Sequence, residues 1–213
     1  MKKPLFVLLF LVSAALWAQE TPQTPEPNGM LQESPAQTDD AYAQEIIARF
    51  GAVETLQSQF TQEKHLVLLT EPVESKGAFA FSKKGAQLRW EYTEPFQNGF
   101  LMDGGKTYRL EKGVKKTVKG VMSRNTAAQM LVWLTFDLKT LSETYAISYF
   151  EGGVTLTPKN DKNRLLDKIT VWFAKDNPQA LSEIRMDEPG GDFTLLKFSD
   201  TQINKPLPKD AFL

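Results

Sequence analysis

The chain has 213 residues, 41% of them hydrophobic and 11% aromatic, enough to bury the core of one large domain. Lys plus Arg number 25 against 26 for Asp plus Glu, so no basic excess exists to draw a nucleic-acid backbone. Cysteine is absent, which excludes disulfides, thiolate metal sites, cysteine nucleophiles and lipid attachment through an N-terminal cysteine.

Met1-Lys2-Lys3 is a short basic region followed by an apolar run from Leu5 to Leu16, with Ala18 ending a cleavage site. Residues 1–18 therefore read as a cleaved signal peptide, too short in its apolar part to span a bilayer, and the chain as exported without an anchor of its own. Residues 19–38 are rich in Pro, Gln, Thr and Glu and read as a flexible tether, because they hold too little apolar surface to offset their ordering entropy. Residues 39–213 read as a single domain. Asp39-Asp40 suit a helix start, and Ile46, Phe50, Val53, Leu56 and Phe60 follow at steps of three and four, predicting an amphipathic helix that Gly51 weakens. His65 to Leu69 reads as a strand.

From Gly77 to Leu110 the period is two. Phe79 and Phe81 share a face, as do Leu88, Trp90 and Tyr92, while Arg89 and Glu91 point the other way. Turn chemistry at Lys84-Gly85, Glu94-Pro95 and Asp103-Gly104-Gly105 makes this an antiparallel meander with one aromatic face. Val114 to Val118 adds a short basic strand. Arg124 to Leu134, with Met130, Trp133 and Leu134, predicts a helix apolar on nearly all sides, and a short helical piece follows over Asp137 to Thr144. The remainder returns to strands: a hairpin about Glu151-Gly152-Gly153, a long strand with Leu165, Ile169, Val171 and Phe173 on one side, and two more separated by Asp187 to Gly191. The expected class is mainly β with helices: an incomplete antiparallel barrel of about ten or eleven strands.

Chemistry finds little to stand on. His65 is the single histidine, without a second His or any Cys to share a metal, and it reads as structural. No G-x-S-x-G elbow, Walker loop or complete calcium loop occurs. The reading is of a protein that is not an enzyme and needs no cofactor.

Leu56-Gln57-Ser58-Gln59-Phe60-Thr61-Gln62 resembles the outer-membrane lipoprotein carrier proteins, the LolA family. So do Gly77-x-Phe79-x-Phe81, Leu88-Arg89-Trp90-Glu91-Tyr92-x-x-Pro95, Leu101-Met102-Asp103-Gly104 with Lys106, and the late Asn204-x-Pro206-Leu207-Pro208 with Phe212. The resemblance implies a helical lid over an apolar cavity in the incomplete barrel. It also implies a carrier that takes lipoproteins, or another lipid, from an inner-membrane extraction complex to an outer-membrane acceptor. Exposing an acyl chain of about sixteen carbons costs roughly 12 kcal/mol, at about 0.8 kcal/mol per methylene, so such a shield has a physical purpose. The implied cavity residues are Phe79, Phe81, Leu88, Trp90, Tyr92, Phe100 and Met102, closed by Met130, Trp133 and Leu134. By spacing alone these same side chains read first as an ordinary core. Where the family places Arg-Pro, its arginine latching the lid through backbone carbonyls, this chain has Lys83-Lys84-Gly85; the candidate latch residues are Lys84 and Arg89. The chain is read as a monomer. The alternative is a periplasmic sensor or regulatory binding module of the same fold, acting on a membrane signalling protein.

Overall fold

In the computed structural model, which describes residues 39–117, 137–160 and 165–213, the alternating segments become strands of a single sheet. The elements in chain order are α1 (Asp39–Gly51), β1 (Thr55–His65), β2 (Val73–Ser82), β3 (Gln87–Glu94), β4 (Asn98–Asp103), β5 (Lys106–Glu111) and β6 (Val114–Thr117). They continue with α2 (Leu138–Thr144), β7 (Tyr145–Phe150), β8 (Gly153–Pro158), β9 (Lys168–Phe173), β10 (Leu181–Asp187) and β11 (Phe193–Ile203). The predicted signal peptide, the tether and the helix over 124–134 lie outside the described residues.

The strand order is β6-β5-β4-β3-β2-β1-β11-β10-β9-β8-β7, antiparallel throughout. Every neighbour is next in sequence except β1 and β11, whose pairing joins the two meanders. β6 and β7 are not paired with each other, so the eleven-stranded sheet stays open as expected. The β1–β11 register slips between Gln57 and Gln59. Asp200 takes a positive φ of 52° there, and Ser58 Oγ bonds Ser199 O at 2.8 Å and Thr201 Oγ1 at 2.8 Å. Such a bulge bends and twists the strands that carry it.

Three boundaries differ from expectation. The strand read from Leu165 begins only at Lys168, and Leu165 is exposed before it. The helix predicted to run to Phe60 stops at Gly51, and Leu56, Ser58 and Phe60 are buried on alternate positions of β1. A helix end abutting a strand start happened to mimic a helical period. Asn204 seals the junction: its side chain accepts from Glu54 N at 2.7 Å and donates to Ala52 O at 3.0 Å, satisfying groups that a terminating helix leaves unpaired. The predicted strand His65–Leu69 ends at His65; Leu66 is half-buried, and Val67 to Leu69 are exposed in the turn that follows. Short apolar runs do not distinguish strand from turn by periodicity.

One hydrophobic cluster covers the inner face of the sheet. Ile46 and Phe50 of α1 and Leu138 and Leu141 of α2 pack with Leu56, Phe60, Phe79, Trp90, Val171 and Ile184 from the strands. Asp137 caps α2, its carboxylate accepting from Thr140 N at 3.2 Å. At the centre Trp90 stacks on Phe60 (4.2 Å between centroids) and on Phe79 (5.4 Å). Trp90→Ala is expected to remove about 3–5 kcal/mol of stability, the range for truncating a buried tryptophan. Urea unfolding followed by far-ultraviolet circular dichroism checks this, and a loss under about 1 kcal/mol would contradict the packing described.

Candidate functional site

Three rows of side chains cross β2, β3 and β4 on the inner face. Phe79 faces Trp90, which faces Phe100; Phe81 faces Leu88, which faces Met102; Gly77 faces Tyr92, which faces Asn98. Gly77 is required in its row: a Cβ there would sit 2.4 Å from Phe60 Cζ and 2.3 Å from Glu91 O. Phe60 from β1 instead lies over the glycine, contacts Trp90 and meets Tyr92 edge-on at 5.3 Å.

The rows differ in how far they are filled. Phe79, Phe81, Leu88 and Trp90 are all 5% exposed or less and belong to the packed cluster. Tyr92, Phe100 and Met102 are half-buried and keep apolar surface open. The sequence-expected lining thus divides into a closed centre and an open strip toward β4. Met130, Trp133 and Leu134 lie outside the described residues.

Beyond Phe100 the same face turns polar. Arg109 pairs across from Phe100, and Lys116 across from Arg109. Glu111 joins the two cations, one carboxylate oxygen to Arg109 Nη2 and the other to Lys116 Nζ. At the other border Tyr92 donates its hydroxyl to Gln62 Oε1 at 2.7 Å. An apolar strip between charged and amide groups matches an amphiphile better than a wholly apolar guest. This charged border was missed from the sequence, where Arg109, Glu111 and Lys116 read only as ordinary strand and turn charges.

The latch residues fall elsewhere. Lys84 is exposed in the β2–β3 turn. Its neighbour Lys83 makes the contact to the helix, donating to Gly51 O at the end of α1 (2.8 Å) and pairing with Glu54 at 3.2 Å. Arg89 lies on the outer face, opposite Leu88 and Trp90; it pairs with Glu91 at 2.7 Å and donates to the backbone carbonyl of Leu213. Strand alternation rules out Arg89 as a latch over the inner face, since its neighbours on that strand already occupy it. It fastens the C-terminal residues to the outside instead. Leu101, fully buried and paired with Arg89, lies outside the inner cluster.

A separate cavity of about 200 Å³ lies where α1 meets the other half of the sheet, lined by Tyr42, Arg49, Gly152, Phe173 and Pro178 among others. None of its lining residues was expected from the sequence. Around it α1 is pinned by Phe50 on Phe173 at 5.5 Å and by Arg49 Nη1 to Pro178 O at 3.2 Å.

Residues 51–213, which include every strand above, match the model of the family described as outer membrane lipoprotein carrier protein LolA. The chain belongs to the LolA family. An outer-membrane lipoprotein carrier protein of Pseudoalteromonas translucida is 23% identical over 184 residues, 86% of each chain. One from Cupriavidus taiwanensis is 30% identical over 147 residues, 65% of each chain. Among solved structures, MucB superposes with a TM-score of 0.51 at 14% identity, over 81% of this chain and 62% of MucB. The Pseudomonas aeruginosa MucA/MucB complex gives 0.52 at 12% identity. At such identities the likeness to MucB is one of fold. LolA-family proteins are carriers and binding proteins, not enzymes.

Burial of its hydroxyl pushes the Tyr92 phenol above its ordinary value of 10.0. The folded chain therefore holds this proton more tightly than the unfolded one. The associated stability is complete below pH 10.0 and is lost as the pH rises past it toward the folded value. Denaturation midpoints of wild type and Tyr92→Phe, compared across alkaline pH, should show a steeper alkaline decline in the wild type. Parallel profiles would mean that Tyr92 is open to water.

Proposed function

We propose that this LolA-family chain is a periplasmic carrier, a monomer acting without a cofactor, that shelters acyl chains of lipoproteins, or of another lipid, between membranes. The domain over 39–213 does the carrying, a signal peptide over 1–18 exports it, and residues 19–38 are a tether. The observation that carries this reading is the half-buried strip of Tyr92, Phe100 and Met102 bordered by Arg109, Glu111 and Lys116. Acyl methylenes lie on the strip, and the polar end of the guest lies at the charged border. Methionine and aromatic side chains adapt to floppy chains, which suits the strip to guests of differing length. Phe79, Phe81, Leu88 and Trp90 are its firm floor; Met130, Trp133 and Leu134, which the family resemblance implies as its closure, lie outside the described residues. With no chemistry of its own, the carrier is loaded at an inner-membrane extraction complex and unloaded at an outer-membrane acceptor by differences in affinity.

A second reading, a regulatory module acting on a membrane signalling protein, draws on the fold likeness to MucB, solved in complex with MucA. That likeness is one of architecture, and the open apolar strip favours the carrier.

Protein purified from its own periplasm should release acylated lipid or lipopeptide in native mass spectrometry. Phe100→Asp combined with Met102→Asp should weaken binding of a diacylated lipopeptide by about tenfold or more with the circular dichroism spectrum unchanged. Absence of any acylated guest, together with stoichiometric capture of one protein partner that the double substitution leaves intact, would replace the carrier with the regulatory module.

A further inference from the structure

Three alternate hairpins, β1–β2, β3–β4 and β5–β6, turn at the same end of the antiparallel sheet. All three present large apolar side chains to solvent. Leu68 is 95% exposed and Val67 68% at the first tip, Phe96 is 76% exposed at the second, and Val114 59% at the third. Alternate tips stand two strand spacings apart, about 10 Å, so they form a row along one rim. The opposite end, with Lys83 and Lys84 in the β2–β3 turn and Asp103 to Lys106 in the β4–β5 turn, is polar.

From this rim we infer that the chain seats on a bilayer surface through the hairpin end, with Leu66–Leu69 as the inserting tip. Two of the tip's backbone N–H groups are held within the protein. Leu69 N donates to Leu66 O at 2.9 Å within the turn, and Val67 N donates to Asp192 Oδ1 at 2.8 Å from the β10–β11 loop. The turn is thereby held in shape with its backbone at the lipid–water interface, where water can serve the remaining groups while the Leu68 side chain enters the apolar phase. Lys112 N donates to Gln97 O at 3.1 Å and holds the other two tips together. The three turns proper carry one charge of each sign, Glu71 and Lys112, and the adjoining β10–β11 loop adds Glu188 and Asp192. The rim has no basic excess, so any attraction to a lipid surface is apolar rather than electrostatic. Separate convex tips in a row engage a fluid plane, which needs no matching shape; a folded partner would have to supply a pocket for each. This seating stands whether or not the inner face carries a guest.

The test uses the full exported chain with fluid vesicles of phosphatidylcholine, and of phosphatidylethanolamine with phosphatidylglycerol. Wild type should float with both, with little change on raising salt. Leu68→Asp should lower the partition coefficient about tenfold while leaving the thermal midpoint in place, since the side chain is exposed. The chain has no cysteine, so Leu68→Cys accepts a single environment-sensitive dye. Its emission should shift to the blue on vesicle addition and be quenched by lipids labelled high on the acyl chain. Absence of flotation, equal partition of Leu68→Asp, or an unquenched dye would overturn the inference. So would self-association that depends on Leu68 without flotation, which would give the rim to a second copy. The Phe100→Asp, Met102→Asp protein should float like wild type even if it holds no guest, separating this seating from the carrier reading.

Discussion

The pairing of β1 with β11 is the contact on which the architecture rests. Each meander consists of hairpins that close locally, but neither has a complete core: the cluster takes Phe60, Phe79 and Trp90 from the first and Val171, Ile184 and Leu196 from the second. Joining strands from opposite ends of the chain carries a loop-closure cost, and the long ladder between Leu56–His65 and Phe193–Ile203 offsets it. Ser58 and Asn204 mark where that ladder is most demanding. The first ties down the bulge, and the second satisfies the end of α1 from across the sheet.

On this frame the inner face serves two purposes at different places. Around Trp90 it is a core, with rings stacked and buried among the described residues. Toward β4 the described residues leave Tyr92, Phe100 and Met102 half-covered beside charges. A carrier needs both conditions, because a floor that collapsed when emptied could not be reloaded. Stability at the centre permits incomplete packing at the edge.

Sheet ends and sheet faces also divide the work. Arg89, Glu91 and the C-terminal residues hold the outer face, while Lys83 ties the β2–β3 turn to the end of α1. The hairpin end toward Leu68 is left apolar and unoccupied by the described residues. A molecule with a greasy strip inside and a greasy rim at one end has the polarity expected of something that exchanges material with a bilayer.

The period of two across Gly77–Leu110, the turns at Lys84-Gly85 and Asp103–Gly105, and the family's motifs were all legible in the residues, because alternation and turn chemistry are local properties. Locality also explains what the residues misstated. Phe50, Val53, Leu56 and Phe60 carry a helical spacing across a helix end and a strand start, and Leu66–Leu69 has the composition of a strand in a turn. Only the fold decided that Lys83 rather than Lys84 meets α1, that Arg89 faces outward, that Phe79 and Trp90 are packed while Phe100 and Met102 stay open, and that Arg109, Glu111 and Lys116 border them. A strand's pattern states which side chains share a face; what covers that face comes from strands and helices far away in the chain, and no local pattern records it.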